Sequence, residues 1–295
     1  MTVSELLDET IARLEKARVS FGHGTTNVLD ESVWLLLHAL RLPLDSLNDH
    51  LAEVPPAAKV KSLRALVGRR IATRKPAAYL MKEAWLGEHR FYVDERVIVP
   101  RSFIAEWMQP RRWNEATRFF GDPDRHAVKS ALDLCTGSGC LAILLALMFP
   151  DAQVDGADIS ADALDVAKRN VLDYTLGRRI RLVRSDLFAA LAGRSYDLII
   201  SNPPYVKAAS MKKLPAEYRA EPELALASGR DGLDHTRAIL RQAPAHLNPG
   251  GMLVVEIGHN RRALERAFPQ LPFAWPETSA GTGYVFTLRR EDLAS

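Results

Sequence analysis

Ala131-Leu132-Asp133-Leu134-Cys135-Thr136-Gly137-Ser138-Gly139-Cys140 reads as a buried strand that runs into a small-residue loop and then into a helix. Gly137 and Gly139 let the backbone turn tightly and come close to a ligand. In a parallel sheet such a loop stands at the carboxyl end of its strand, where ligands bind. Gly137-x-Gly139-x-x-Ala142 also fits the dinucleotide fingerprint, so the loop alone indicates a nucleoside cofactor without saying which.

Outward from this loop, short apolar runs alternate with longer helical patterns. The runs are Ala131–Leu134, Ala152–Gly156, Ile180–Val183, Tyr196–Ile200 and Met252–Ile257, and between them lie Cys140–Phe149, Ala161–Leu172 and His235–His246. Such alternation predicts an α/β fold with parallel βαβ units and helices on both faces of the sheet. Phe273-Ala274-Trp275 and Tyr284–Leu288 have no helix between them and are expected to pair antiparallel at the sheet edge. Asp158 closes the second run, 19 positions after Gly139, where a carboxylate can accept both ribose hydroxyls. Asp186, in Ser185-Asp186-Leu187-Phe188, follows the third run and can accept an adenine amine, with Leu187 and Phe188 as walls for the ring. An Asp after a strand is often only a helix cap. Three acids ending three successive strands, Asp133, Asp158 and Asp186, favour a nucleoside site.

The strand Asp197–Ser201 is followed at once by Asn202-Pro203-Pro204-Tyr205. Two prolines hold the backbone extended and so fix the Asn202 side chain and the Pro203 carbonyl as two acceptors beside the cofactor loop. A planar NH₂ group has two donors to satisfy, and Tyr205 can stack on its flat face. An amide or aromatic-amine nitrogen has a delocalised lone pair and is a poor nucleophile. Holding both N–H groups orients the nitrogen and favours its pyramidalisation as a new bond forms.

The glycine loop, Asp158, Asp186 and Asn202-Pro203-Pro204-Tyr205 together resemble the class I S-adenosylmethionine-dependent methyltransferases that act on planar nitrogen. Glu221-Pro222-Glu223-Leu224-Ala225-Leu226-Ala227-Ser228-Gly229 with Asp231-Gly232-Leu233 narrows the likeness to the protein-(glutamine-N5) methyltransferases. Phe21-Gly22-His23-Gly24-Thr25, Phe91–Arg96 with its Val99-Pro100-Arg101 exit, and Leu134–Cys140 resemble the branch acting on large-subunit ribosomal protein three. The release-factor branch usually has glycine where this chain has Cys135. The likeness spans nearly the whole chain. It implies a seven-stranded Rossmann-like methyltransferase domain (106–295) preceded by a helical substrate-recognition domain (1–75) and a β-hairpin linker (76–105). It also implies cofactor contacts from Cys135, Thr136, Gly137, Ser138, Gly139, Asp158, Asp186, Leu187 and Asn202, and substrate contacts from Asn202, Pro203, Pro204 and Tyr205. Asn202, Pro203 and Tyr205 would carry the catalysis, and Cys135 would contribute its backbone only. The implied cofactor is S-adenosyl-L-methionine, and the implied partner is the ribosomal protein, free or on a ribosome assembly intermediate.

The rest of the sequence bounds this reading. The chain has 295 residues, 47% hydrophobic and 25% charged, which suits about two globular domains with a full core. A net charge of +3 does not mark a polybasic DNA binder, and no nucleic-acid module is recognisable. Cys135 and Cys140 sit too close together to cross-link distant segments, which suits a reducing cytoplasm. Histidines without ligand spacing argue against a metal site. Thr2–Ser20 reads as an amphipathic helix rather than a secretory signal, and no apolar run reaches the ~20 residues of a membrane span.

The helix over 30–40 is expected to be capped by Asp30, with another helix over 57–73. The hairpin is expected from Phe91-Tyr92-Val93 and Val97-Ile98-Val99, flanking Asp94-Glu95-Arg96. The basic run Gly68–Lys75 reads first as a solvated helix end, second as an RNA contact, and Arg178, Arg179 and Arg181 raise the same question. Trp34 and Trp85 are expected in a core or interface, and Cys140 at the start of its helix. Three rivals remain at this stage. Methylation of a base amine in DNA or RNA shares the same target chemistry, but the base would have to be flipped out. A nicotinamide oxidoreductase leaves the tetrapeptide idle, and a silent assembly factor would not need Asn202.

Overall fold

The computed structural model describes residues 1–109 and 126–293. The amino-terminal region is helical: α1 (Val3–Ala17), α2 (Val28–Leu40), α3 (Leu47–His50), α4 (Ala57–Thr73) and α5 (Ala77–Met81). Thr2 and Glu5 form a capping box that starts α1. α2 begins at Val28, two residues earlier than expected, because Asn27 rather than Asp30 is its cap. The Asn27 side chain accepts the Asp30 N–H at 2.9 Å. Leu6, Leu14, Leu35, Leu36, Leu63 and Val67 close the core of these helices.

Arg70 corrects the reading of the basic run. It is fully buried on α4, bonded to Glu31 at 2.7 Å and to Glu217 at 3.3 Å. Arg74 also reaches Glu217, at 2.8 Å, and Lys75 reaches Glu95 at 2.9 Å. Arg70 and Arg74 tie this end of the helix into the protein, while Arg69 and Thr73 face solvent as expected. Arg179 and Arg181 are likewise used internally, by the carbonyls of Phe149 and Ala152 and by Asp155.

The hairpin lies one segment earlier than the apolar triplets suggested. β1 (Ala84–Leu86) pairs antiparallel with β2 (His89–Phe91), and Gly87 at φ 63 supplies the positive φ that the two-residue turn needs. Asp94 does make a turn with Arg96, whose N–H it accepts at 3.1 Å. The flanking triplets do not pair with each other. Val93, Val97 and Val99 are buried in the helical core, the Tyr79 hydroxyl takes the Val97 carbonyl, and Val99 N–H goes to Glu221 at 2.9 Å. A short 3₁₀ helix, Phe103–Met108, follows.

Six strands form the main sheet among the described residues: β3 (Ser130–Leu134), β4 (Gln153–Asp158), β5 (Ile180–Arg184), β6 (Tyr196–Ser201), β7 (Leu247–Glu256) and β10 (Val285–Arg289). The order is β10-β7-β6-β3-β4-β5, with only β10 antiparallel. The seventh position is a single antiparallel bridge between Ala274 and Thr287, which places the expected edge pairing where it was read. The other two strands, β8 (Glu277–Thr278) and β9 (Gly281–Thr282), form a separate small hairpin.

Helices cover both faces of the main sheet. α6 (Cys140–Met148) packs with Ala131, Val154, Leu198 and Val254 on one face. α8 (Asp234–Gln242) and α9 (Arg261–Ala267) pack with Leu132, Ile199, Leu253 and Phe286 on the other. Successive strand residues thus serve opposite layers, as buried parallel strands must. α7 (Ala161–Asp173) extends the helical core through Ala163 and Val166.

The chain order reverses between β3 and β6, the switch point where open α/β sheets bind ligands. Leu134 is paired with Ser201 across it, so the glycine loop and Asn202 leave the sheet side by side.

Candidate active site

Asp133 shapes the loop from within. Its carboxylate is fully buried, accepts the Ala142 N–H at 3.0 Å and takes the Thr136 hydroxyl. Burial pushes it up to about 7, against those hydrogen bonds. Asp133, expected as a cofactor contact, lines none of the three cavities described below. The loop then carries three left-handed residues: Cys135 at φ 64, Gly137 at φ 54 and Gly139 at φ 79. A side chain on Gly139 would press on the Ala167 Cβ of α7, at 3.0 Å. One on Gly137 would meet nothing within 4 Å, because that position opens onto a cavity.

This first cavity is lined by Leu134, Cys135, Gly137, Asp158, Asp186, Leu187 and Asn202, with His235 of α8. Asp158 accepts Gly137 N–H at 2.8 Å on one oxygen and Ser160 N–H at 2.9 Å on the other. Each oxygen keeps a second lone pair for ribose hydroxyls. Burial nevertheless raises the Asp158 carboxyl, opposed by these backbone bonds. Thr136 and Ser138 line a smaller adjoining cavity, again with Asn202. Phe188 is not a wall. It is buried against the sheet and stacked on His246 at 4.6 Å, leaving Leu187 alone of the expected pair. Burial also pushes the Cys135 thiol far above its ordinary range, which favours the neutral thiol at neutral pH.

A second cavity lies on the other side of Asn202. Asn202, Pro203, Pro204 and Tyr205 line it together with Arg101, Ser102, Phe103 and Tyr218, and with Gly22, Gly24 and Thr25 from the helical region. Asn202 and Pro204 therefore face both cavities. Among the described residues nothing hydrogen-bonds to the Asn202 side-chain amide. Tyr205 is half-buried, with its phenol donating to Glu256 at 3.2 Å and its carbonyl accepting from Asn260 at 2.9 Å. Burial raises the phenol well above its usual value, so it stays protonated.

Two groups here were not singled out from the sequence. Asn170 ties the loop to the linker, donating to Ser138 O at 2.8 Å and accepting Tyr92 N–H at 2.7 Å. Glu256 ends β7 and accepts from Ser102, Phe103 and Tyr205. The acid-after-a-strand signal used for Asp158 is present at Glu256 also, after an apolar run.

Residues 116–218 match the family model of the methyltransferase small domain. Over 294 residues the chain is 53% identical to the ribosomal protein uL3 glutamine methyltransferase of Neisseria meningitidis serogroup B, covering 99% of this chain and 94% of that protein. The chain belongs to the uL3 glutamine methyltransferase family. Its members of that name from Burkholderia pseudomallei and Bradyrhizobium diazoefficiens are 49% and 47% identical to it, over 99% of this chain and 95% and 92% of theirs. Among solved structures, the hMettl16 catalytic domain in complex with MAT2A 3'UTR hairpin 6 superposes with a TM-score of 0.51 at 14% identity, over 78% of this chain and 80% of that one. That likeness is one of fold.

The motifs of this glutamine methyltransferase meet at one carboxylate. Glu221 accepts both Arg101 nitrogens and the Val99 N–H, and His23 Nε2 lies 3.5 Å away. His23 is buried beside Tyr218, with ring centroids 4.2 Å apart. It sits in the glycine turn whose Gly22 and Gly24 line the second cavity, a place its sequence position did not disclose. No helix among the described residues is long and apolar enough to cross a membrane, and no group of His, Cys, Asp or Glu there could hold a metal ion.

Proposed function

We propose that this chain methylates the side-chain amide nitrogen, N5, of a glutamine in ribosomal protein uL3, with Asn202, Pro203 and Tyr205 presenting that amide. One observation carries the residue assignment: the unpartnered Asn202 amide stands where the two cavities meet. Asp158, Asp186, Leu187 and the loop 135–139 would hold S-adenosylmethionine. The open face at Gly137 and the spare lone pairs of Asp158 suit its adenosine. When bound, this cofactor supplies an electrophilic methyl group on a sulfonium.

Asn202 Oδ1 and the Pro203 carbonyl accept the two amide N–H groups, and Tyr205 packs on the amide plane. Fixing both N–H groups turns the nitrogen toward the first cavity and lowers the barrier to pyramidalisation. The half-buried, proline-stiffened segment keeps water from competing for those acceptors. A helical unit at 1–75 recognises substrate, a hairpin linker at 76–105 joins it, and 106–295 carry the transfer. Support for that division comes from Gly22, Gly24 and Thr25 in the wall of the substrate cavity. The partner is uL3, free or on an assembling ribosome, and the place is the cytoplasm.

The test is a transfer assay with a labelled methyl donor, offering uL3, a release factor, ribosomal RNA and DNA side by side, read by mass spectrometry. Label on a uL3 glutamine is the expected result. Label on nucleic acid alone would overturn the substrate and leave the cofactor site standing.

A further inference from the structure

We propose that Glu256 is a positioning residue for methyl transfer, holding Tyr205 and the Ser102-Phe103 segment in register as two walls of the glutamine slot. The proposal rests on the assignment of Asn202-Pro203-Pro204-Tyr205 made above. Glu256 ends β7, between β6 and β10, and is 1% exposed. One oxygen accepts from the Ser102 hydroxyl at 2.7 Å and the Phe103 N–H at 2.8 Å, and the other accepts from the Tyr205 phenol at 3.2 Å. Ser102, Phe103 and Tyr205 line the substrate cavity, whereas Glu256 stands behind them.

All three partners donate, and although burial pushes the Glu256 carboxyl up to about 7, its ionised form satisfies them without a hydrogen of its own to place. The segment 256–260 grips the tyrosine at further points. A Cβ on Gly258 would come within 2.7 Å of the Tyr205 ring, so the glycine leaves the ring its bed. Asn260 Nδ2 holds the Tyr205 carbonyl at 2.9 Å. With face and backbone held, the phenol–carboxylate bond sets the remaining freedom, the tilt of the ring. The same carboxylate sets the start of the 3₁₀ helix that carries Phe103. Slot width thus depends on one buried group that never touches the substrate.

Glu256→Gln keeps the shape but puts an amide donor against one of the three donors, and Tyr205→Phe removes the phenol alone. Both variants and the double variant are assayed with uL3 and labelled donor, beside calorimetric cofactor binding and thermal melting. Each single change is expected to lower kcat/KM at least tenfold while cofactor affinity stays within about twofold, since a hydrogen bond to a charged group has that size. The double variant is expected within about threefold of the worse single one, because both changes break the same bond. Ser102→Ala with Tyr205→Phe gives a second cycle, also expected to be less than additive, that leaves the carboxylate in place should Glu256→Gln not fold. Multiplying losses in these cycles, wild-type kcat/KM in Glu256→Gln or Tyr205→Phe, or a collapse of cofactor affinity would overturn the proposal. Failure of the wild-type protein to label a uL3 glutamine would instead overturn the substrate assignment.

Discussion

Arg101 donates two parallel hydrogen bonds to Glu221, at 2.6 and 2.7 Å, across 120 residues of sequence. The pair fastens the linker to the Glu221-Pro222 segment, and His23 and Val99 close on the same carboxylate. Both flanks of the second cavity therefore hang on one ion pair.

Glu221→Ala should destabilise the fold by roughly 3–5 kcal/mol, the usual penalty for stranding a buried charge. Denaturant midpoints check this. A change under about 1 kcal/mol would mean the pair is dispensable.

Acid should find the same pair. Burial alone would raise the Glu221 carboxyl, but His23 and Arg101 prevail and hold it at about 2, below the ordinary 4.5. A depressed value means stabilisation that is fully present above about pH 4.5 and is lost as the pH falls toward 2. Glu221→Gln should flatten that part of the stability–pH curve, measured by chemical unfolding at a series of pH values. An unchanged slope would contradict the assignment.

Asn202→Ala should leave cofactor binding nearly intact and lower turnover at least a hundredfold, of the order seen when a transition-state contact is removed. Single-turnover kinetics beside calorimetry separate the two effects. Normal turnover would falsify the role given to Asn202.

Asp158→Asn should weaken S-adenosylmethionine binding about 10- to 100-fold, because ribose hydroxyls lose a charged acceptor. It also sets an amide against Gly137 N–H or Ser160 N–H, so melting of the cofactor-free protein is measured alongside. Undiminished affinity would remove Asp158 from the ribose site.

Cys135→Gly should keep both turnover and fold. Relief of left-handed strain at φ 64, worth about 1–3 kcal/mol, is offset in part by the added chain entropy of glycine. Loss of turnover with cofactor still bound would show that the thiol takes part after all.

Much of this molecule was legible in one dimension. Strand and helix periods place the sheet, and the acids after β4 and β5 together with Asn202-Pro203-Pro204-Tyr205 fall at its switch point. Those signals are local: period, turn chemistry and short spacing are written along a few consecutive residues. Val97 and Val99 look like a strand, yet their polar groups are claimed by Tyr79 and Glu221, and the hairpin forms at Gly87 instead.

The sequence by itself determined the α/β architecture, the glycine loop and the proline-stiffened tetrapeptide beside it, because each depends on neighbours in the chain. Only the tertiary structure decided that Asp133 bonds within the loop, that Arg70 is buried, and that Phe188 belongs to the core. It alone joined Glu221 to Arg101 and Glu256 to Ser102, the latter across 154 residues. An acidic side chain has the same letter whether it meets water, a ligand or a buried guanidinium. Its charge, its partners and its task are set by the packing around it, and distant partners leave no periodic trace.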